Sequence, residues 1–185
     1  MGDSLADAEE ATVTSTPPAF TDITDDQFVI VWNESCDSES GSIGGEVTGG
    51  VSGHGVLAVT SVTAVDTTGT ANGSFADGWE YTFNITVPDN ETNLSMKFAD
   101  WMSVVGAHII PVANNMRISS AQADNGGATV LLTAANLYSS PALHMVTDLD
   151  TGTNGIQVQV TVEVAIPTGS ANGSYTTNYG VQTQP

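Results

Sequence analysis

The sequence predicts an all-β protein, an antiparallel β-sandwich or jelly roll with about ten short strands. Apolar and polar residues alternate with a period of two in many segments, and helical periodicity is almost absent. Clusters of Gly, Asn, Ser and Asp separate these segments. Alternation of this kind is typical of strands that bury one face, and the polar clusters are typical of the turns between them.

Two segments carry the clearest strand pattern. In residues 156–166 every second residue is Ile or Val, and in residues 79–87 an aromatic or aliphatic residue takes every second position. We expect Val160 and Tyr81 to point into the core because they lie on the apolar faces of these strands. Asn84 lies on the opposite face and is expected to face solvent.

Weaker alternation predicts nine shorter strands. They cover residues 11–16, 28–32, 56–65, 94–98, 108–112, 116–119, 128–134, 143–146 and 175–182. The glycine-rich stretch 41–55 is interpreted as a loop, since it has neither the lysine nor the following helix of a phosphate-binding motif. Residues 121–127 and 133–140 have room for one short turn each.

The charge balance excludes several functions. Lys97 and Arg117 are the only Lys or Arg residues against 21 Asp and Glu, which gives a formal net charge of -19. Such a chain cannot build a basic surface for nucleic acid or anionic lipid. Only 12% of the residues are charged, about half the usual share, which indicates a polar, uncharged, extracellular surface. Copies of the chain repel one another, so close assembly requires cations, screening salt or neutral contact patches.

The length and the single cysteine indicate one domain without an internal disulfide. Cys36 is alone, and 185 residues suffice for a core of ordinary size. We expect residues 1–18 to form an N-terminal arm and residues 19–185 to form the sandwich. No run of apolar residues is long enough to span a membrane.

Six Asn-x-Ser/Thr triplets support an extracellular glycoprotein. They begin at Asn33, Asn72, Asn84, Asn90, Asn93 and Asn172, and none has Pro in the middle position. Chance alone produces two or three such triplets in a chain this rich in Asn, Ser and Thr. Only the number of triplets beyond that supports glycosylation.

One heptapeptide occurs twice. Residues 69–75 read Gly-Thr-Ala-Asn-Gly-Ser-Phe, and residues 169–175 read Gly-Ser-Ala-Asn-Gly-Ser-Tyr. Asn-Gly is a strong turn signal because both residues tolerate positive φ. Two similar turns in one sandwich explain the repeat better than a duplication, because the flanking residues do not align.

No catalytic motif is evident, and we expect the protein not to be an enzyme. His54, His108 and His144 are far apart and lack metal-ligand spacing. Acidic neighbours disfavour a thiolate at Cys36. The sequence contains no Gly-x-Ser-x-Gly nucleophile motif and nominates no catalytic carboxylate pair.

The best chemical signal is an acidic turn in residues 148–154. Asp148 and Asp150 at alternate positions, Gly152 and then Asn154 resemble the first half of a calcium-binding loop. The Glu that closes an EF-hand loop is missing, and a plain Asp- and Gly-rich hairpin is an equally good interpretation. A second acidic cluster, Asp22, Asp25 and Asp26, could add ligands.

Segments 79–87, 96–101, 110–117 and 162–183 resemble secreted single-domain β-proteins of environmental prokaryotes. In architecture the chain is also similar to extracellular filament subunits of the TasA/camelysin kind and to archaeal cannula proteins. That resemblance implies a sandwich that polymerises by donating an N-terminal strand to its neighbour, in some members with calcium.

These observations favour a structural subunit of an extracellular filament, tube or surface layer that binds copies of itself. The expected donor strand comprises Ala11, Thr12, Val13, Thr14, Ser15 and Thr16, followed by the stiff spacer Pro17-Pro18. The arm could instead pair within its own domain.

The alternative function is a secreted carbohydrate-binding module. Trp32, Trp79 and Trp101 are its candidate sugar-stacking residues. Trp79 lies on an apolar strand face and is expected in the core, which leaves Trp101 as the exposed platform.

Overall fold

A computed structural model describes residues 28–30, 41–48, 54–104 and 107–185. Across these residues the chain forms twelve strands and no helix, which confirms the all-β prediction. The strands are β1 (Phe28–Ile30), β2 (Gly41–Thr48), β3 (Ala58–Asp66), β4 (Trp79–Val87), β5 (Asn93–Phe98), β6 (Trp101–Ser103), β7 (Ile109–Ile110), β8 (Met116–Ser119), β9 (Val130–Leu131), β10 (Leu143–His144), β11 (Ile156–Val164) and β12 (Tyr175–Gln184).

Two sheets make up the sandwich. The five-stranded sheet has the order β3-β4-β11-β8-β9. The seven-stranded sheet has the order β1-β2-β12-β5-β10, with β6 also beside β12 and β7 beside β6. All pairings between these strands are antiparallel except that of β2 with β12, which is parallel.

The core lies between the sheets and follows the predicted alternation. Phe83 of β4 pairs with Val160 of β11, and Tyr81 pairs with Val162; all four side chains are buried. Polar partners such as Thr82 and Thr161 occupy the outer face. The inward orientation of Val160 and Tyr81 predicted from the sequence is therefore confirmed.

Aromatic rings join the two sheets. Phe83 meets Tyr179 of β12 edge-on at 5.0 Å between ring centroids, and Trp79 lies 4.9 Å from Trp101. Tyr81 also stacks on the Trp101 ring, at 5.8 Å between centroids. These contacts place β4 across from β12 and β6.

The glycine-rich segment interpreted as a loop contains strand β2, so that interpretation is wrong for residues 41–48. β2 lies between β1 and β12, and its register runs from Gly41 opposite Tyr175 to Thr48 opposite Gln182. A strand flanked on both sides gains backbone hydrogen bonds that do not depend on its side chains. Its partner β12 lies at the other end of the chain, which is why local propensity did not reveal it.

Candidate functional site

The outer face of the five-stranded sheet is organised in cross-strand rows. Three rows contain no charged residue: Ala58, Thr86 and Gln157; Ser61, Asn84 and Gln159; and Thr63, Thr82, Thr161 and Ser119. We name these ten residues the neutral face. The fourth row, at one end of the strands, contains Asp66, Glu80, Glu163 and Arg117 and carries the charge of this surface.

Side-chain hydrogen bonds connect five of the ten residues of the neutral face. Asn84 Nδ2 donates to Ser61 Oγ at 2.8 Å, and Gln159 Nε2 donates to Asn84 Oδ1 at 3.3 Å. Thr86 Oγ1 donates to Gln157 Oε1 at 2.8 Å. A surface whose side chains are already ordered loses less conformational entropy when another surface covers it.

The charged row is balanced in part by a cation. Arg117 donates from Nε and Nη2 to the two carboxylate oxygens of Glu163, at 2.7 and 2.6 Å. The guanidinium also lies over the ring of Phe75, 4.3 Å from its centroid. The hydrogen bonds to Glu163 raise the pKa of Arg117, and burial opposes that rise.

The acidic turn predicted as a calcium loop uses its carboxylates to hold its own backbone. Asp148 Oδ1 accepts from the amides of Asp150 at 2.9 Å and Gln157 at 2.8 Å. Asp150 accepts from Gly152 N at 3.0 Å and from Thr153 Oγ1 at 3.0 Å. The Asn154 backbone lies beside Gly55. These bonds are those of an Asx-rich hairpin, and both carboxylates retain further acceptor capacity.

Five of the six glycosylation candidates lie in the described residues. Asn72, Asn90 and Asn172 are exposed, whereas Asn84 and Asn93 are half-buried. Three of these side chains donate a hydrogen bond from Nδ2: Asn72 to Asp77 Oδ2 at 2.9 Å, Asn84 to Ser61 Oγ at 2.8 Å, and Asn93 to the Pro185 carbonyl at 2.6 Å. Because a glycan is attached through Nδ2, Asn90 and Asn172 are the sites where it would displace the fewest bonds.

The histidines do not come together. His54 pairs with Asp89 at 2.6 Å and His144 pairs with Asp124 at 2.9 Å, and all four side chains are exposed. His108 is exposed beside β7. Within the described ranges, no three His, Cys, Asp or Glu side chains are grouped to hold a metal ion.

The two copies of the repeated heptapeptide meet in space. Both line one small cleft of about 60 Å³ at the end of the sandwich, with Trp79 and Tyr175 among its walls. Gly73 N of the first copy donates to the Ile166 carbonyl at 2.8 Å, just ahead of the second copy. Tyr175 Oη donates to the Ala171 carbonyl at 2.7 Å. Both aromatic side chains are almost fully buried, so the cleft offers no ring face to a sugar.

The prediction that Trp101 is an exposed platform is wrong. Its side chain is 0% exposed, and its Nε1 donates to Met116 Sδ at 3.2 Å. From Phe98 to Ser103 the chain advances five residues, while the paired strand β12 advances only four, from Tyr179 to Tyr175. The extra residue is a β-bulge, which reverses the alternation and turns Trp101 inward.

One exposed apolar patch lies on the β6–β7 hairpin. Met102 pairs with Ile109, and these side chains are 48% and 58% exposed. Val104 follows at 68%. A few exposed apolar side chains are common on soluble proteins, so these three carry no functional argument by themselves.

Several predicted residues lie outside the described residues: the donor strand 11–16, Asn33, Trp32, Cys36 and the cluster Asp22, Asp25 and Asp26. In the part of the chain that the structure describes, no helix has the length and apolarity needed to cross a bilayer. No protein-family model and no curated protein matches this chain.

Proposed function

We propose that this protein is a structural subunit of an extracellular filament, tube or surface layer that assembles from copies of itself. The observation that best supports this proposal is the neutral face of the five-stranded sheet. A chain with a net charge of -19 repels its copies, and a contact surface without charge avoids that repulsion. The neutral face has three rows, mostly of hydroxyl and amide side chains that are partly hydrogen-bonded to one another, and its ten residues include no carboxylate.

The same surface argues for a structural role rather than a catalytic one. Its polar side chains are Thr, Ser, Asn and Gln, which form hydrogen bonds. A Ser or Thr hydroxyl attacks a carbonyl group near neutral pH only when a base activates it, and the ten residues of the face include no His, Asp, Glu or Lys. Interfaces with many hydroxyl and amide groups form hydrogen bonds directly and through water. We therefore assign the face to subunit contact.

Donation of residues 11–16 to a neighbour is the second part of the proposal. These six residues are uncharged and β-prone, and an extended segment of this kind adds to a sheet through main-chain hydrogen bonds. Calcium assistance is the third part. It is supported by the Asp148 and Asp150 carboxylates in one exposed turn and by the need to offset charge between copies.

Negative-stain microscopy and sedimentation of the purified protein, across a range of salt and calcium concentrations, test the proposal. We expect polymers in the intact chain and monomers after deletion of residues 1–16. A protein that stays monomeric under all these conditions, or that polymerises equally well without the arm, contradicts it.

A matched pair of substitutions tests the neutral face separately. Asn84→Asp adds one charge within the face, whereas Asn172→Asp adds the same charge in an exposed turn at the end of the sandwich. We expect the first to weaken assembly, with rescue by added salt, and the second to leave it unchanged. Equal effects would show that the face is not a contact surface.

A further inference from the structure

β3 has one long unpaired edge. It is nine residues long and borders the five-stranded sheet, with β4 on one side and no strand on the other within the described ranges. The unpaired N–H and C=O groups of such an edge can pair with a further strand. At the opposite border of this sheet, β9 has only two residues.

The inward-facing side chains of β3 are incompletely covered. Val59 and Val62 pair with the buried residues Ile85 and Phe83, yet both are only half-buried. Ala64, opposite Tyr81, is exposed. A strand added beside β3 could place alternate side chains against this uncovered apolar strip and extend the core by one strand.

The charge pattern fits a contact between β3 and the arm. From Ala58 to Val65 the strand has no charged residue, and Asp66 is at its far end. Residues 11–16 are also uncharged. In a chain with a net charge of -19, these two neutral β-prone segments can pair without like-charge repulsion along the ladder.

The position of Phe28, the first described residue after the arm, shows at which end of the sandwich the arm joins the described strands. Phe28 pairs with Val47, which pairs with Val181 of β12. Phe83 packs on Tyr179 and Trp79 on Tyr175, so β4 and β12 run in the same direction. Phe28 therefore lies at the end of the sandwich where β4 finishes and β3 begins.

The connecting residues are long enough to reach a neighbour. Residues 17–27 can span up to about 35 Å when extended, whereas the nine residues of β3 are about 30 Å long. A second copy stacked on this end would place its own β3 within reach of residues 11–16. Repetition of that contact would build a linear polymer.

We propose that the free edge of β3 accepts residues 11–16 of a second copy of this chain. This inference rests on the proposed function, because it names the sheet edge that receives the donated strand.

Disulfide trapping between two different variants tests the proposal, in a Cys36→Ser background. The donor carries Thr14→Cys. The acceptor lacks residues 1–16 and carries either Ser61→Cys or Thr63→Cys on β3, or Leu131→Cys on β9 as the matched control at the other border of the sheet. Under mild oxidation we expect mixed disulfide dimers with a β3 position and none with Leu131→Cys.

The outcomes separate this inference from the proposed function. Trapping at Leu131→Cys, or at neither β3 position, overturns β3 as the acceptor even if deletion of residues 1–16 still abolishes assembly. A chain carrying both Thr14→Cys and Thr63→Cys that forms the disulfide within monomers overturns the assignment to a second copy.

A blocking variant gives an independent readout. Ala64→Glu puts a carboxylate on the uncovered strip, and because Ala64 is already exposed the monomer should still fold. Ala76→Glu, in an exposed turn, is the control. We expect loss of polymers for Ala64→Glu alone, with unchanged melting of both monomers. Normal polymers from Ala64→Glu contradict the proposal.

Discussion

Arg117 and Glu163 form a bidentate ion pair on neighbouring strands, with N–O distances of 2.7 and 2.6 Å. Glu163 also pairs across the sheet with Glu80, which pairs with Asp66. Three carboxylates thus share one row with a single cation. Arg117 is one of only two Lys or Arg residues in the chain, and its place here offsets the repulsion within this row.

Removal of this cation should destabilise the fold. We expect Arg117→Met to lower the free energy of unfolding by about 1–2 kcal/mol, because charge-assisted hydrogen bonds are lost and three carboxylates face one another. Urea unfolding at low and high salt measures the effect, which should shrink as salt screens the carboxylates. Glu163→Gln should cost less, because it removes one of the repelling charges; a larger cost for Glu163→Gln would contradict this account.

The reversed alternation after the bulge between β5 and β6 should make Trp101, and not Met102, the residue that stabilises the core. Counted from the buried Phe98, unbroken alternation would bury Met102 and expose Trp101, whereas Trp101 is buried and Met102 is exposed. We expect Trp101→Ala to lower the free energy of unfolding by about 3–5 kcal/mol, and Met102→Ala, the matched control at the next residue, to have a mild effect. Thermal and denaturant unfolding measure both. Similar costs for the two substitutions would contradict the reversal of alternation at the bulge.

The Tyr179 hydroxyl should make stability depend on pH in the alkaline range. Burial raises the pKa of Tyr179 to about 12, and its Oη has no hydrogen-bond partner within the described residues. The unfolded chain ionises first, near pH 10, so the free energy of unfolding is unaffected below that pH and falls between about pH 10 and 12.

Tyr179→Phe isolates this effect. The variant should lose part of the alkaline fall, about 3 kcal/mol at most. At neutral pH it should be no less stable, because the removed hydroxyl makes no hydrogen bond among the described residues. Denaturant unfolding at several pH values measures both quantities. A variant that is clearly less stable at neutral pH would show that the hydroxyl has a partner, such as an ordered water.

Two substitutions in the acidic turn should distinguish its contribution to stability from any stabilisation by calcium. Asp148→Ala should lower the free energy of unfolding by about 1–2 kcal/mol without calcium, because two backbone amides lose their acceptor. If calcium binds, it should raise the melting temperature of the intact chain by mass action, and Asp150→Ala should abolish that rise. Differential scanning calorimetry with calcium and with a chelator measures both. An unchanged melting curve at millimolar calcium would remove calcium from the proposal.

The sequence by itself determined the features that depend on local periodicity and composition. The alternation in residues 79–87 and 156–164 predicted β4 and β11 with their buried faces, because a strand's side chains alternate whatever its neighbours are. The charge of -19 was equally fixed by composition.

Only the tertiary structure decided what depends on pairing between distant segments. The sequence predicted a loop for residues 41–48, but pairing with β12 makes them strand β2. The sequence also predicted an exposed Trp101, but one extra residue opposite β12 turns its side chain inward. The neutral face and the charged row likewise arise from the register of β3, β4, β11 and β8. The alternation within a strand fixes which face each side chain takes, but which residues of distant strands lie opposite one another depends on pairing partners that lie elsewhere in the chain.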